Sequence, residues 1–340
     1  MKNKIMIIGG HGHVGSVITK NISHKYPGKV ILAGRNSQKM ADYLAENQLN
    51  LKTQVFDITK EPDLEMFETI KLVVVCIDQK NTKFVEFCNN NAIDYVDVSA
   101  NSAFYHQLSQ LNFSKKSSVV YSVGLAPGLT NLMAHAIAKK LPNFTELAIK
   151  VILGLGDSHG DAAIDWTFKH LNQGYEINGQ KVKPFSLKNQ VRLVNHKDLP
   201  VYNFDFSDQH SLKQVWPERK IMTYLGFDLG SVTHSLHYLQ KLKVLPVIEN
   251  PKVMSFSKKI MAKGSLGSDS FVLQVTASEG REGQSLTVRG AKEGVVTGEI
   301  ANVLIERVYQ SQDSLGFVQI DDYLTFEELA KALPQLQLID

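Results

Sequence analysis

The feature that most constrains the fold is an alternation of apolar runs and helical stretches over residues 4–125. The apolar runs are Ile5–Ile8, Val30–Ala33, Thr53–Phe56, Leu72–Ile77, Tyr95–Val98 and Val119–Val123. The helical stretches between them are Val14–Ser23, Ser37–Asn47, Asp63–Thr69, Asn81–Asn90 and Ala103–Leu111. Strands buried on both faces by helices read as continuous aliphatic runs. The pattern therefore predicts an α/β fold with a doubly wound parallel sheet.

The pattern of strand-like and helical segments changes after the segment VGLAPGLTNLMAHAIAKKLP. Strand-like segments follow from about residue 145 to 290, as in ELAIKVILGLG and DSFVLQVTASEGREGQSLTVRG, with helical stretches between them. This mixture predicts an inserted α+β middle domain with a largely antiparallel sheet. The later segment EGVVTGEIANVLIERVYQ has helical spacing and is expected to return to the first domain. The predicted domains are residues 1–128 with 292–340, and residues 129–291.

Three glycines follow the first apolar run directly, as Gly10, Gly12 and Gly15. In a strand–turn–helix context the first permits a tight turn, the second lets the backbone approach a pyrophosphate, and the third allows close packing of helix on strand. The helix amides and dipole then face the phosphates. A lone triplet is also compatible with a plain turn, but the flanking pattern favours a Rossmann-type dinucleotide site that includes His13 and Val14.

The end of the second apolar run bears on which dinucleotide is bound. NAD-specific loops place Asp or Glu there to accept a hydrogen bond from the ribose 2′-hydroxyl, whereas this chain reads AGRNS, with Gly34 and then Arg35 and Asn36. A guanidinium forms charge-assisted hydrogen bonds to phosphate. NADP(H) is therefore predicted over NAD(H), with a solvated surface role for Arg35 as the alternative.

Residues after the third and fourth runs are expected to complete the cofactor site, because ligands of an open α/β sheet bind at the carboxyl ends of its strands. Asp57 and Ile58 are predicted near the adenine edge, and Cys76 under a cofactor ribose. Cys76 also fits a small buried apolar side chain, and nothing nearby predicts a nucleophilic thiolate.

The substrate side is predicted at the fifth and sixth strand ends, which carry DYVDVSAN and VGLAPGLTNLMA. Asp97 and Ser99 alternate with apolar neighbours and so share one face, and Asn131 falls in the first turn of the next helix. Asp97 is a candidate for relaying a proton or orienting an amine. Its alternative role is to cap the following helix.

The segment GLGDSHGDAAIDWTFKHL is the densest polar stretch of the middle domain. Within it His159 is a candidate acid/base and Trp166 a candidate wall of the substrate pocket. The eleven histidines include no HExxH pattern, so no metal site is predicted.

Charge and composition exclude other classes of protein. The net charge of +3 without long runs of like charge argues against a nucleic-acid partner. Two cysteines do not make a disulfide framework. No segment reaches the roughly 18 apolar residues of a membrane span, and the N-terminus lacks a secretory pattern, so a cytoplasmic location is expected.

Taken together, the segments GGHGHVG, LAGRN, FDI, YVDVSA, GLAPGLTNLMA and GFVQIDDYLTFEELAKAL make the chain resemble the saccharopine dehydrogenase-like family. The resemblance implies a nucleotide-binding first domain, and a middle domain that contacts a small-molecule substrate and forms a homodimer. It also implies NAD(P)-linked chemistry at a C–N bond of an amino acid or polyamine. The positions that it assigns to cofactor or substrate are Gly10, Gly12, Val14, Gly15, Arg35, Asp57, Cys76 and Asp97.

The chain departs from saccharopine reductases on the substrate side. In those enzymes the corresponding segment resembles GLDPG and is followed by an acid and a histidine. At these positions this chain has Ala126, Thr130 and Asn131. The loss of two ionisable groups argues against saccharopine as the substrate. The predicted function is an NADP(H)-dependent oxidoreductase acting on an amine or imine carbon. A redox-sensing NADP(H)-binding regulator and an alcohol oxidoreductase are the alternatives.

Overall fold

The chain divides into two compact units in the computed structural model, which describes residues 2–157, 167, 169–193, 198–244 and 267–339. The first unit comprises Met1–Leu129 and Val295–Ala332, and the second comprises Thr130–Gly294 and Leu333–Asp340. Whereas the sequence analysis placed residues 292–340 together, the last eight belong to the second unit, because a strand at 337–339 pairs within its sheet.

The strands lie mostly in the two seven-stranded sheets. They are β1 (Lys4–Ile8), β2 (Val30–Gly34), β3 (Lys52–Val55), β4 (Ile70–Val75), β5 (Asp94–Asp97), β6 (Ser118–Val120), β7 (Glu146–Leu153), β8 (Tyr175–Ile177), β9 (Gln180–Val182), β10 (Lys188–Val191), β11 (Leu199–Asn203), β12 (Lys220–Phe227), β13 (Ser270–Glu279), β14 (Glu282–Ala291), β15 (Gly316–Val318) and β16 (Gln337–Ile339).

The helices cover or flank these sheets. They are α1 (His13–Lys25), α2 (Ser37–Glu46), α3 (Leu64–Phe67), α4 (Lys83–Asn90), α5 (Ser102–Ser109), α6 (Thr130–Lys140), α7 (Ser207–Val215), α8 (Gly230–Lys241), α9 (Glu293–Gln310) and α10 (Phe326–Ala332). Within the described parts of the chain, none of the helices has the length and apolar character needed to cross a bilayer.

The first unit contains a wholly parallel sheet with the strand order β15-β6-β5-β4-β1-β2-β3. The interior strand β1 pairs Ile7 with Leu32 of β2 on one side and with Val74 of β4 on the other. The chain therefore winds outward in both directions from β1, which makes the carboxyl end of β1 the switch point at which such sheets bind ligands. The predicted doubly wound α/β fold is confirmed.

Aliphatic strands and aromatic helix residues form the core of the first unit. The strand residues Ile5, Ile7 and Val73 are fully buried, as the continuous apolar runs predicted. At one end of the sheet the rings of Phe56 and Phe67 meet edge to face with centroids 5.5 Å apart. Such pairs add to the stabilisation from burial.

The long helix α9 returns to the first unit and packs against α1 and the start of the chain. Lys25 forms an ion pair of 2.6 Å with Glu306, and the rings of Tyr26 and Tyr309 lie edge to face at 4.9 Å. The Tyr309 hydroxyl donates to the carbonyl of Asn3 at 2.9 Å. The chain then adds the parallel edge strand β15, which the sequence analysis did not predict.

The second unit contains a mixed sheet with the order β10-β11-β12-β7-β13-β14-β16. The β12–β7 pair is parallel, and the other pairs are antiparallel. Helix α6 packs on β13 and β14, and α7 packs on β12. The predicted α+β unit with a largely antiparallel sheet is confirmed.

Candidate functional site

The glycine loop after β1 is packed too closely for side chains at two of its positions. A Cβ added to Gly10 would lie 2.3 Å from the Thr19 hydroxyl, and one added to Gly15 would lie 2.4 Å from the Gly9 carbonyl oxygen. Both distances are far below van der Waals contact. Helix α1 therefore sits directly on the loop, as the sequence analysis expected of a dinucleotide-binding turn.

The first turn of α1 presents backbone donors at the end of this loop. Gly12 is the N-cap and makes no side-chain cap, and the first amides of a helix have no partners within it. His13 is exposed and Val14 is half-buried, and the His13 carbonyl accepts a hydrogen bond of 2.8 Å from the Ser16 hydroxyl. Free amides and the positive helix dipole fit a diphosphate here.

The carboxyl end of β2 holds the residues predicted to choose the cofactor. Gly34 ends the strand, and Arg35 follows it with its side chain exposed. Asn36 is the N-cap of α2, because its side-chain oxygen accepts a hydrogen bond of 3.0 Å from the Lys39 amide. Asn36 therefore has a structural role in starting α2, and Arg35 is the residue of this turn whose cation is free to meet an anion.

His11, which the sequence analysis did not select, lies against Gly34. A Cβ added to Gly34 would be 2.9 Å from His11 Cε1. The His11 Nδ1 atom is buried and has no hydrogen-bond partner among the described residues. Burial lowers the pKa of His11, and the charge of Lys39 lowers it further. The available signal was the position of His11 between two glycines of the motif.

Asp57 and Ile58 shape the turn after β3. The Asp57 carboxylate accepts hydrogen bonds from the amide and the hydroxyl of Thr59, at 3.0 and 2.8 Å. These bonds lower the pKa of Asp57, and the Arg35 charge contributes in the same direction. Ile58 is half-buried and packs against the core. Asp57 and Arg35 are thus close enough to interact electrostatically at the predicted adenosine end of the site.

Cys76 follows β4, and its amide donates to the Ile8 carbonyl at 2.9 Å. Burial raises the pKa of the Cys76 thiol, and the negative charge of Asp97 raises it further. The neutral thiol is a poor nucleophile. Cys76 is half-buried at the strand end, and its place in the cofactor site stays a prediction.

Asp97 is fully buried at the end of β5, and its two oxygens accept four hydrogen bonds. One oxygen accepts from the Tyr95 hydroxyl at 2.6 Å and from the Gln79 amide at 2.8 Å. The other accepts from the amide and the hydroxyl of Ser99, at 2.8 and 2.7 Å. Asp97 thus ties the loop after β4 to the turn after β5. It does not cap α5, since Asn101 does so.

Burial dominates the electrostatics of this network. It raises the pKa of Asp97 to about 6, against the opposing effect of the hydrogen bonds from Tyr95 and Ser99. The Ser99 hydroxyl also lies 3.1 Å from the Tyr121 hydroxyl, which donates to the Asn101 carbonyl at 3.0 Å. The hydrogen bonds therefore connect the carboxyl ends of three adjacent strands, and Asp97 holds Ser99 through two of them.

Asn131 lies in the second unit, whereas Asp97 and Ser99 lie in the first. It is buried on α6, and its amide donates to the Ser211 hydroxyl at 2.9 Å. Its neighbour Thr130 donates to the Asp208 carboxylate at 2.8 Å. The predicted substrate residue thus belongs to a buried polar cluster between α6 and α7.

Helix α7 carries a set of polar residues that the sequence analysis missed. Its segment SDQHS is buried throughout. Asp208 accepts hydrogen bonds from the hydroxyls of Thr130 and Thr223 and from the Gln209 amide, and burial raises its pKa. Just before the helix, Asp205 lies 2.6 Å from His210 Nε2. The sequence feature that could have indicated this cluster is a helix with polar residues on every face.

The two remaining predicted residues, His159 and Trp166, lie outside the described part of the chain. Among the described residues, no group of three or more His, Cys, Asp or Glu side chains is arranged to hold a metal ion. The described polar groups therefore form three sets: the glycine loop with the β2 end, the Asp97 network, and the α6–α7 cluster.

Comparison with known families gives one domain match. Residues 5–123 match the family described as "Saccharopine dehydrogenase NADP binding domain". The matched span begins in β1, includes the glycine loop and ends just after β6. The match confirms the saccharopine dehydrogenase-like resemblance that the motifs predicted for this part of the chain. No curated protein sequence matches the chain.

Solved structures resemble the chain over nearly its full length. Apo saccharopine dehydrogenase (L-Glu forming) from Saccharomyces cerevisiae has a TM-score of 0.64 at 11% identity, covering 99% of this chain and 100% of that one. At this identity the likeness shows a common fold. DAP dehydrogenase from C. glutamicum in complex with DAP has a TM-score of 0.42 at 13% identity, covering 94% and 93%. Myo-inositol dehydrogenase from Corynebacterium glutamicum has 0.45 at 8%, covering 98% and 94%.

Proposed function

We propose that this saccharopine dehydrogenase-like chain is an NADP(H)-dependent oxidoreductase that transfers hydride at the C–N carbon of an amino-acid or polyamine-like substrate. The observation that carries the proposal is the glycine loop on α1, next to a β2 end that has Arg35 and no carboxylate. The family match over residues 5–123 supports nicotinamide dinucleotide binding by the same residues.

The cofactor role is divided among residues of the first unit. Gly10, Gly12 and Gly15 keep the backbone open to the diphosphate, and the amides of His13 and Val14 at the start of α1 are positioned to donate to it. Arg35 binds the 2′-phosphate, with Asn36 fixing the turn through its cap. Asp57 and Ile58 follow the end of β3, and Cys76 follows the end of β4. Their proposed partners are the adenine and a ribose of the cofactor.

The bound dinucleotide supplies the hydride acceptor or donor, and the protein supplies orientation and a protected site. Asp97 holds Ser99 in place through two hydrogen bonds, so we assign to Asp97 a positioning role. The domain of residues 129–291 provides the substrate contacts and the homodimer interface. Asn131 is proposed to act there, with His159 and Trp166 at the substrate.

The second unit offers a described alternative to His159 as acid/base. Asp205 lies 2.6 Å from His210 Nε2, and both side chains are largely buried. A carboxylate that accepts from one ring nitrogen fixes the tautomer and orientation of an imidazole, as in many general bases. We therefore propose the His210–Asp205 pair for proton transfer if His159 proves dispensable.

Calorimetric titration tests the cofactor assignment. Arg35→Ala is expected to weaken NADP⁺ binding by about tenfold or more, because charge-assisted phosphate contacts contribute roughly 1.5–3 kcal/mol, and to leave NAD⁺ nearly unchanged. The matched control is Lys115→Ala, an exposed cation before the amino end of β6 and so at the opposite edge of the sheet. A change below twofold for NADP⁺ would contradict the role of Arg35.

Turnover then tests the reaction class. Purified protein with NADP⁺ or NADPH is incubated with amino acids, keto acids with ammonia, polyamines and alcohols, and absorbance at the reduced nicotinamide band is followed. Turnover with amines or imines supports the proposal, and turnover with alcohols alone would replace it with an alcohol oxidoreductase.

A redox-sensing regulator is the alternative that one observation favours. Both oxygens of Asp97 are engaged within the first unit, so the strongest acid candidate of that unit makes only internal contacts among the described residues. Tight NADP(H) binding without turnover on any substrate class would support this alternative.

A further inference from the structure

The His11 ring lies where a side chain at residue 34 would begin. A Cβ on Gly34 would be 2.9 Å from His11 Cε1, 3.6 Å from His11 Nδ1 and 3.5 Å from the Met40 sulfur. Carbon atoms that are not bonded normally stay about 3.5 Å or more apart. The imidazole and any larger residue at position 34 therefore compete for the same space at the end of β2.

The same ring carries a polar atom that lacks a partner. His11 Nδ1 is buried, and no described residue hydrogen-bonds to it. A buried polar atom without a partner is costly, so such an atom beside a binding loop points to a ligand group that satisfies it. The atom belongs to the residue between Gly10 and Gly12, which is inside the proposed cofactor loop.

The groups around the ring are cationic or neutral. The charge of Lys39 on α2 acts on His11 and lowers its pKa, in the same direction as burial. Arg35 follows Gly34 directly, and its positive charge helps to lower the pKa of Asp57 at the β3 end. Met40, also on α2, contributes only its thioether. The surroundings thus suit an anion, and a carboxylate at position 34 would have to displace the ring.

We infer that His11 reads the 2′ position of the adenosine ribose, taking the place of the side chain that NAD-binding chains carry at the end of β2. A small rotation of the imidazole exposes Nδ1, which then donates to the 2′-phosphate, while Arg35 supplies the permanent charge. This inference rests on the proposed NADP(H) function. It adds that residues 11 and 34 together determine the preference between NADP(H) and NAD(H). The imidazole leaves no room for a carboxylate side chain at position 34 and contacts the 2′ group in its place.

Coupling between the two positions makes the inference testable by binding alone. Titration calorimetry measures NADP⁺, NAD⁺, 2′,5′-ADP and 5′-AMP on wild type, His11→Ala, His11→Gly, Gly34→Asp and the double variant His11→Gly/Gly34→Asp. The control is His24→Ala, an exposed histidine in the last turn of α1. Circular dichroism and thermal unfolding verify that each variant is folded, and Gly34→Ala with His11→Gly/Gly34→Ala replaces any aspartate variant that is not.

His11→Ala is expected to weaken NADP⁺ and 2′,5′-ADP about tenfold while changing NAD⁺ and 5′-AMP less than twofold. Gly34→Asp is expected to weaken every probe. The double variant should regain at least about fivefold in NAD⁺ affinity over Gly34→Asp, because removal of the ring gives the carboxylate room to accept from the 2′-hydroxyl. If the alanine variants are used, His11→Gly/Gly34→Ala should regain a similar affinity over Gly34→Ala for both dinucleotides, because removal of the ring relieves the steric conflict.

Three results would overturn the inference. One is an equal loss of NADP⁺ and NAD⁺ in His11→Ala, which would make His11 a general loop residue. Another is additive effects of the two positions, with the double variant no better than Gly34→Asp. The third is selectivity unaffected by His11 while Arg35→Ala abolishes it, which would leave the proposed function standing. Absence of binding of either dinucleotide to wild type would instead refute the proposed function together with this inference.

Discussion

Raising the pH from 4 to 7 is expected to remove stability from the first unit through Asp97. Burial raises the pKa of this carboxyl from 3.8 to about 6 in the folded protein. That difference corresponds to about 3 kcal/mol, at roughly 1.4 kcal/mol per pH unit. Between these two pH values the folded chain retains a proton that the unfolded chain has lost. The contribution is therefore complete below pH 3.8 and is lost as the pH rises through 6.

Asp97→Asn isolates this contribution, because asparagine has nearly the same size and does not titrate. The difference in the free energy of unfolding, wild type minus variant, should fall by about 2–3 kcal/mol from pH 4 to pH 7. Urea titrations read by hydrogen–deuterium exchange measure it on peptides covering β4 and β5. Peptides from β7 and β13 in the second unit provide the internal reference, since their stability should show no such change.

A difference that stays constant within about 0.5 kcal/mol over this pH range would refute the reasoning. It would mean that the hydrogen bonds from Tyr95, Gln79 and Ser99 outweigh burial and keep Asp97 ionised in the folded state. A difference that grew with pH would mean that these hydrogen bonds lower the pKa of Asp97 in the folded state below its value in the unfolded chain.

Three further predictions concern single positions. Gly15→Ala places a Cβ 2.4 Å from the Gly9 carbonyl oxygen, so we expect loss of dinucleotide binding in calorimetry and a lower unfolding temperature; unchanged affinity would contradict the close packing of α1 on the loop. Asp208→Ala leaves the hydroxyls of Thr130 and Thr223 without their acceptor and should destabilise the second unit by about 2–4 kcal/mol in urea, well above the effect of Thr130→Val. Lys150→Met replaces a buried ammonium whose hydrogen-bond partners among the described residues are Gln274 and Thr276, so the variant should be more stable at pH 7. Because burial lowers the pKa of Lys150 to about 8, wild type gains stability as the pH rises from 8 to 10.5, and the advantage of the variant should shrink there; a constant advantage would argue against this cause.

The strands of the first sheet were predictable because each one has a sequence pattern of its own. Each buried strand, such as Ile5–Ile8 or Leu72–Ile77, reads as an aliphatic run whatever its partners are. The strand β15 was not predictable in this way, since Gly316–Val318 has three residues and takes its direction from pairing with β6. Strands this short carry too little pattern, and tertiary contacts decide them.

The candidate site was predictable where backbone geometry fixes the residue type. Gly10 and Gly15 follow from the close approach of α1. The role of Arg35 at the 2′-phosphate stays a prediction, because no backbone contact requires an arginine after β2. His11 was missed because its contact with Gly34 joins residues distant in the chain. The role of Asp97 was left open between proton relay and helix cap, and the structure gives a third arrangement that depends on Gln79.

The polar residues of α7 illustrate the limit most clearly. The segment SDQHS looks like a solvated helix face, because Ser, Asp and Gln are usually exposed. Its burial depends on hydroxyl and amide partners from α6 and β12, such as Thr130 and Thr223, that no local pattern connects to it. Buried polar networks of this kind are set by the completed tertiary structure.

Because the first unit is built from two separate parts of the chain, it cannot fold completely during the early part of synthesis on the ribosome. Six strands and their helices emerge by Leu129, but α9 and β15 follow only after some 165 further residues have been made. Until then the nascent chain has an unpaired edge at β6 and a bare face on α1, which are surfaces prone to wrong association. Vectorial synthesis thus holds the nucleotide-binding half incomplete until the intervening half has passed through the exit tunnel.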